Sequence, residues 1–164
     1  MRLYDPGVKL PESTEWVLHC ATALAVLPSG RSASAAQLAE HYDLPVAYLA
    51  KQLKALVRAG VLTASTGPRG GFRLARPPEE VTLLQVVEAA DGASPFYVCN
   101  EIRQRGRAAA PPEQCVRMCG LAAAMAQAEQ AWRASLATTT LADIVTGLPP
   151  GVDARTRTLL ARPS

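Results

Sequence analysis

The chain has 164 residues, 49% of them hydrophobic and only 5% aromatic, with a formal net charge of +3. That is enough apolar material for a buried core built from Leu, Val and Ala rather than rings, and an Ala- and Leu-rich composition leans towards helix. No run of about 20 apolar residues occurs, which excludes a helical membrane span, and the opening MRLYDPGVKLPESTEW lacks the basic-then-apolar order of a signal peptide, so a cytoplasmic location is expected.

Residues 1–12, with Pro6, Gly7 and Pro11, read as a flexible arm. Ser13 or Thr14 is the expected N-cap of an apolar helix, STEWVLHCATALAVLP. Glu15 and His19 are four apart in it and so share a face, where an unpaired carboxylate and imidazole are expensive if buried. Glu15 also suits the helix dipole in the first turn for purely local reasons. Cys20 reads as a small buried hydrophobe, and His41 as a surface residue.

Ser34 caps a short second helix, SASAAQLAEHY, which Asp43-Leu44-Pro45 breaks. In PVAYLAKQLKALVRAG the residues Val46, Leu49, Leu53, Leu56 and Val57 recur at three- and four-residue spacing and predict a third helix, with Gly60 at its end in a left-handed cap. The period then changes. VLTAS and GFRLAR are strand-like runs flanking TGPRG, which predicts a hairpin. TLLQVVEAADG is a short helix capped by Thr82 and stopped by Gly92. Residues 93–112 lack an apolar period and carry Cys99 with Arg103, Arg105 and Arg107. A long helix is expected from Pro112, then a short one in TLADIV, then a flexible tail from 148 to 164.

Three helices followed by a hairpin is the order of a winged helix-turn-helix, so the fold class is mainly α with a small β-hairpin wing. The third helix presents Tyr48, Lys51, Gln52 and Lys54 away from its apolar stripe; Gln52 is suited to reading a base edge and Lys51 to neutralising phosphate. Ser34 at the start of the second helix and Arg69 in the Gly/Pro hairpin tip complete the candidate DNA contacts. The bland alternative is a solvated helix face, which the wing directly after the helix argues against.

Cys115 and Cys119 have C-x3-C spacing, one turn apart on an expected helix, near enough for one iron or zinc. With Cys99 they make an incomplete ligand set, and Glu15 and His19 are candidates to complete it. Clustered cysteines in a reducing compartment favour metal or redox chemistry over structural disulfides. An enzyme built on Glu, His and Cys finds no support, because no phosphate loop or nucleophile motif is present.

The block YLAKQLKALVRAGVLTASTGPRGGFRLARPPEEVTLLQVVEAADG, the cysteine segment after it and the closing TTTLADIV resemble the Rrf family of winged-helix transcription regulators, the IscR/NsrR/RsrR type, over roughly residues 13–147. The resemblance implies a homodimer on promoter DNA, most often a repressor, with a winged helix-turn-helix at 13–80 and a short helix and cluster-binding loop at 81–111. A dimerisation helix and a closing helix would then occupy 112–147. Family members of this type commonly hold an iron–sulfur cluster on three cysteines, here matching Cys99, Cys115 and Cys119. Fifteen residues separate Cys99 from Cys115, where a short gap is usual. That departure, with EWVLHC, VCNEIRQRG and PPEQCVRMCGLA, is similar to the redox-sensing RsrR branch. The likeness implies a [2Fe–2S] cluster held by Cys115 and Cys119 of one subunit and by Glu15 and His19 of the other. Cys99 is then a third candidate ligand or a bystander thiol, and Trp16 the residue that responds to redox state. The alternatives are a nitric-oxide or cluster-supply sensor of the same fold, a metal-free thiol/disulfide switch, and a zinc-stabilised adaptor.

Overall fold

The computed structural model describes residues 10–68 and 70–161. Arg69 and most of the N-terminal arm therefore lie outside the described residues. The helices are α1 (Glu12–Ala25), α2 (Ala35–Tyr42), α3 (Val46–Arg58), α4 (Leu83–Asp91), α5 (Gly120–Thr138), α6 (Leu141–Thr146) and α7 (Val152–Leu160). The strands are β1 (Leu62–Ser65) and β2 (Gly71–Leu74), an antiparallel pair with Leu62 opposite Leu74 and Ser65 opposite Gly71. Two compact units result, one of residues up to Gly92 together with Leu136 onwards, and one of Ala93–Ser135.

The first unit is built around one core. Val17, Cys20 and Leu24 of α1, Leu38 of α2, and Leu49, Leu53 and Leu56 of α3 are buried in it with Val61, Leu62, Val86 and Leu141. Burying each such leucine or valine contributes roughly 1.5–3 kcal/mol. Val46, expected on the apolar stripe of α3, is instead 48% exposed, because it stands in the first turn beyond the edge of the core. Gly60 takes φ +73 after α3, and the Val61 N–H returns to the Leu56 carbonyl at 3.0 Å, so the left-handed stop is realised.

Local chemistry sets most boundaries. Ser34 and Gln37 form a reciprocal capping box on α2; Thr82 with Gln85, and Thr140 with Asp143, do the same for α4 and α6. The start of α1 departs from expectation. Pro11 stands at the cap and Ser13 and Thr14 lie buried within the first turn, so neither serves as the N-cap. The segment expected as a flexible tail contains α7, which packs against α1 and α2 and seats Leu160 in the core. Its apolar spacing is too sparse to signal a helix, and the tertiary contact at Leu160 decides it.

In the second unit no residue is buried. The long helix expected from Pro112 begins eight residues later, at Gly120. Pro112–Gln114 forms a single 3₁₀ turn, and the Arg103 guanidinium takes the Arg117 carbonyl at 3.1 Å, diverting it from helical pairing.

Candidate DNA-reading surface and thiol pocket

The wing is held by close backbone approach. Ala33, just before α2, exchanges hydrogen bonds with Phe72 of β2, Ala33 N–H to the Phe72 carbonyl at 3.0 Å and the reverse at 2.8 Å. This bridge ties the hairpin to the start of the helix-turn-helix. A Cβ at Gly71 would stand 2.6 Å from the Ala33 carbonyl oxygen, so only glycine admits the bridge. At Gly70 it would stand 2.4 Å from the Ser65 carbonyl oxygen, which fixes the hairpin tip in the same way.

On α3, Tyr48, Lys51 and Lys54 are exposed and Gln52 is half-buried, opposite the buried Leu49, Leu53 and Leu56. The Ser34 hydroxyl accepts from the Gln37 N–H at 3.1 Å, so it is committed to the α2 cap as an acceptor. The sequence reading missed Arg73, exposed on β2, whose Nε donates to Thr63 Oγ1 at 3.2 Å. The alternation of Phe72, Arg73 and Leu74 carried that signal.

Glu15 and His19 lie on one face of α1, and both are exposed. The face they share is therefore the solvent face, and the burial penalty expected from the sequence does not arise. Trp16 beside them meets Tyr48 of α3 edge-to-face, with ring centroids 5.6 Å apart. The Tyr42 hydroxyl donates to the His19 carbonyl at 3.1 Å. His41, read as a surface residue, is half-buried, and desolvation together with Arg155 of α7 lowers its pKa. Cys20 is buried as expected, and burial pushes its thiol up to about 12.

In the second unit Cys99, Cys115 and Cys119 line one pocket of about 460 Å³, together with Tyr97, Glu101 and Glu129. Cys115 and Cys119 do not occupy one helical turn, as their spacing had suggested; Cys115 follows the 3₁₀ turn and Cys119 stands directly before α5. The backbone N–H groups of Ala122 and Leu121 donate to the Cys119 sulfur and hold its pKa below the usual thiol value, with a smaller contribution from the Arg103 guanidinium. Arg103 is locked by Glu101, at 2.5 Å from Nε and 2.8 Å from Nη2. Glu101 adopts φ +50, and its carboxyl pKa is lowered by that hydrogen bond. Neither residue figured among the sequence candidates. Among the described residues no three His, Cys, Asp or Glu side chains converge as a metal-holding group, so this pocket offers a partial donor set.

A family model described as Rrf2, iron-dependent transcriptional regulator, matches residues 10–147. The chain belongs to the Rrf2 family. The HTH-type transcriptional regulator BadM of Rhodopseudomonas palustris is 41% identical over 80 residues, which is 49% of this chain and 51% of that protein. A Synechocystis HTH-type transcriptional regulator is 34% identical over 84 residues, 51% of this chain and 57% of that one. The chain thus spans about half the length of the curated relatives it matches. Among solved structures, the global cysteine regulator CymR of B. subtilis superposes with a TM-score of 0.66 at 20% identity, over 86% of this chain and 98% of that one. The IscR of T. potens does so with a TM-score of 0.66 at 18% identity, over 85% and 88%. These likenesses show the winged-helix fold of the Rrf2 regulators. Its relatives and structural neighbours are transcriptional regulators rather than enzymes. Among the described residues no helix is long and apolar enough to cross a membrane.

Proposed function

We propose that this Rrf2 regulator is a cytoplasmic homodimer that binds promoter DNA, acts as a repressor, and senses redox state through an interface-bound [2Fe–2S] cluster of the RsrR kind. The observation that carries this reading is that Cys99, Cys115 and Cys119 all line one pocket. Soft thiolates are the donors such a cluster takes, and the helix-end N–H groups at Cys119 favour the ligating thiolate form. Cys115 and Cys119 would hold one iron; Glu15 and His19 of a second copy would hold the other; Cys99 is a reserve donor. A bound cluster with histidine ligation supplies one-electron redox chemistry at a raised potential.

The chain's own residues then transmit the signal. The solvent-facing Glu15 and His19 are available to a second copy without a desolvation penalty inside their own unit. Trp16, between them on α1, touches Tyr48 in the first turn of α3. A change in the Trp16 rotamer therefore acts directly on the end of the helix that reads DNA. Tyr48, Lys51, Gln52 and Lys54, with Ser34 and the wing residue Arg69, would make the contacts, Gln52 to a base edge and the lysines to phosphates. Dimerisation accounts for α5, whose nineteen residues include none that is buried, and for the exposed Leu121 and Met125 along it.

Iron and acid-labile sulfide analysis of anaerobically purified protein tests the reading. Iron and sulfide in equal amounts, with a visible spectrum that changes in a His19→Ala variant, are expected. Protein free of iron that forms a disulfide among the three pocket cysteines on mild oxidation would favour a thiol switch instead. The lowered pKa of Cys119 also suits that second reading. A cluster that reacts with nitric oxide but leaves DNA affinity insensitive to its oxidation state would point to nitric-oxide or cluster-supply sensing.

A further inference from the structure

Cys99 lies in the irregular stretch before α5, with fifteen residues between it and Cys115, and sequence spacing gives no reason for it to join the other two thiols. It nevertheless lines their pocket. What brings it there is a pair of contacts just upstream. The backbone N–H of Phe96 donates to the Glu129 Oε2 at 3.2 Å. The Phe96 ring meets Trp132 edge-to-face with centroids 4.5 Å apart. Glu129 and Trp132 stand one turn apart on α5, and Glu129 lines the pocket itself, as does Ala122 two turns earlier. One stripe of α5 thus carries both the pocket wall and the anchor for the Cys99 segment.

We infer that Phe96, Glu129 and Trp132 form a latch that holds residues 95–99 against α5 and so positions Cys99 as the third thiol of the pocket. The inference rests on the reading of this pocket as the thiol site. With no residue of the segment buried, these two contacts are what opposes its conformational freedom. A backbone hydrogen bond to a carboxylate and an aromatic pair each shift a local equilibrium about several-fold. Together they are enough to change the local concentration of the Cys99 sulfur about tenfold or more. Glu129 and Trp132 act through Cys99 and are positioning residues.

The test uses the full chain, reduced and treated with a chelator. Diamide takes two electrons and two protons from a pair of thiols, leaving a disulfide and the reduced hydrazine, and peptide mass mapping reports which pairs form. In the Glu129→Ala/Trp132→Ala protein, the rate of disulfides joining Cys99 to Cys115 or Cys119 is expected to fall about tenfold. The Cys115–Cys119 pair should form at the native rate. Glu129→Gln keeps a carbonyl acceptor and Trp132→Phe keeps a ring, so both should stay near native. Phe96→Ala removes the ring contact but keeps the backbone N–H to Glu129, so its Cys99 rate should fall between native and the double variant while α5 stays unaltered by circular dichroism. An unchanged Cys99 rate in the double variant would overturn the latch, as would equal losses in the conservative variants. Absence of iron from the anaerobic protein would remove the cluster reading and leave the latch to be judged on these rates alone.

Discussion

Every buried residue in the described chain belongs to the unit formed by residues up to 92 and from 136 onwards; residues 93–135 contain none. The first unit is held by leucines that are wholly covered, such as Leu38, Leu49, Leu53 and Leu56, and by three reciprocal capping boxes. The second is held by surface contacts: Arg103 to Glu101, Phe96 to Glu129 and Trp132, and Cys119 at the start of α5. It also displays apolar side chains to solvent, Val98, Ile102, Val116, Met118 and Leu121 among them. A core keeps the first unit in one shape, which suits the DNA-reading role proposed for it. A segment without a core can be ordered by a second copy or a bound group, which suits the sensing role proposed for the second.

The sharpest way to break this contrast is a pair of truncations. Leu53→Ala empties a fully buried site in α3 and should destabilise the protein by about 2–5 kcal/mol in a urea titration. Leu121→Ala, 72% exposed on α5, should change folding stability in dilute solution by no more than about 0.5 kcal/mol, while weakening self-association in sedimentation. Equal destabilisation by the two would show that the second unit has a core after all.

The next effects fall on DNA. Gln52→Ala should lose about 1–3 kcal/mol of binding at one base position and relax preference there, as read by a panel of substituted duplexes. Lys51→Ala should weaken all duplexes alike and reduce the salt slope of binding by about 1. Gly71→Ala places a Cβ against the Ala33 carbonyl and should destabilise by about 1–3 kcal/mol, loosening the wing bridge; native DNA affinity and melting temperature in that variant would contradict the role given to the bridge.

Smaller is the pH effect, which belongs to the first unit. Burial holds the Cys20 thiol up at about 12 and the Tyr42 phenol up at about 12. In the unfolded chain both ionise nearer their ordinary values, so ionisation favours unfolding. The stability they contribute is full below about pH 9 and is lost as pH rises towards 12. Urea midpoints taken across that range should fall, and in Cys20→Ala the fall should begin higher. At neutral pH, Cys20 should resist iodoacetamide until the unit unfolds, whereas the exposed Cys99 should react in the native protein.

Legibility in the sequence followed the same division. The winged helix-turn-helix was readable because Leu49, Leu53 and Leu56 repeat at helical spacing and Ser34, Thr82 and Gly60 carry local punctuation that needs no tertiary help. α7 was not readable, because Leu160 is buried by a distant part of the chain. Glu15 and His19 were visible as a pair, but their solvent-facing side was not: the apolar residues around them hid which face α1 buries. In the second unit, C-x3-C spacing suggested one helical turn. The Pro112 turn and the hydrogen bond from the distant Arg103 to the Arg117 carbonyl delay the helix to Gly120. The Phe96–Glu129 contact spans 33 residues, beyond any periodic pattern.

The most direct measurement is the affinity of the anaerobically purified protein for its promoter duplex, before and after reduction with dithionite, at one fixed salt concentration. A change of at least tenfold between the two states is expected, abolished in Trp16→Ala and in Cys115→Ser/Cys119→Ser. Identical affinity in both states, with iron and sulfide bound, would contradict it.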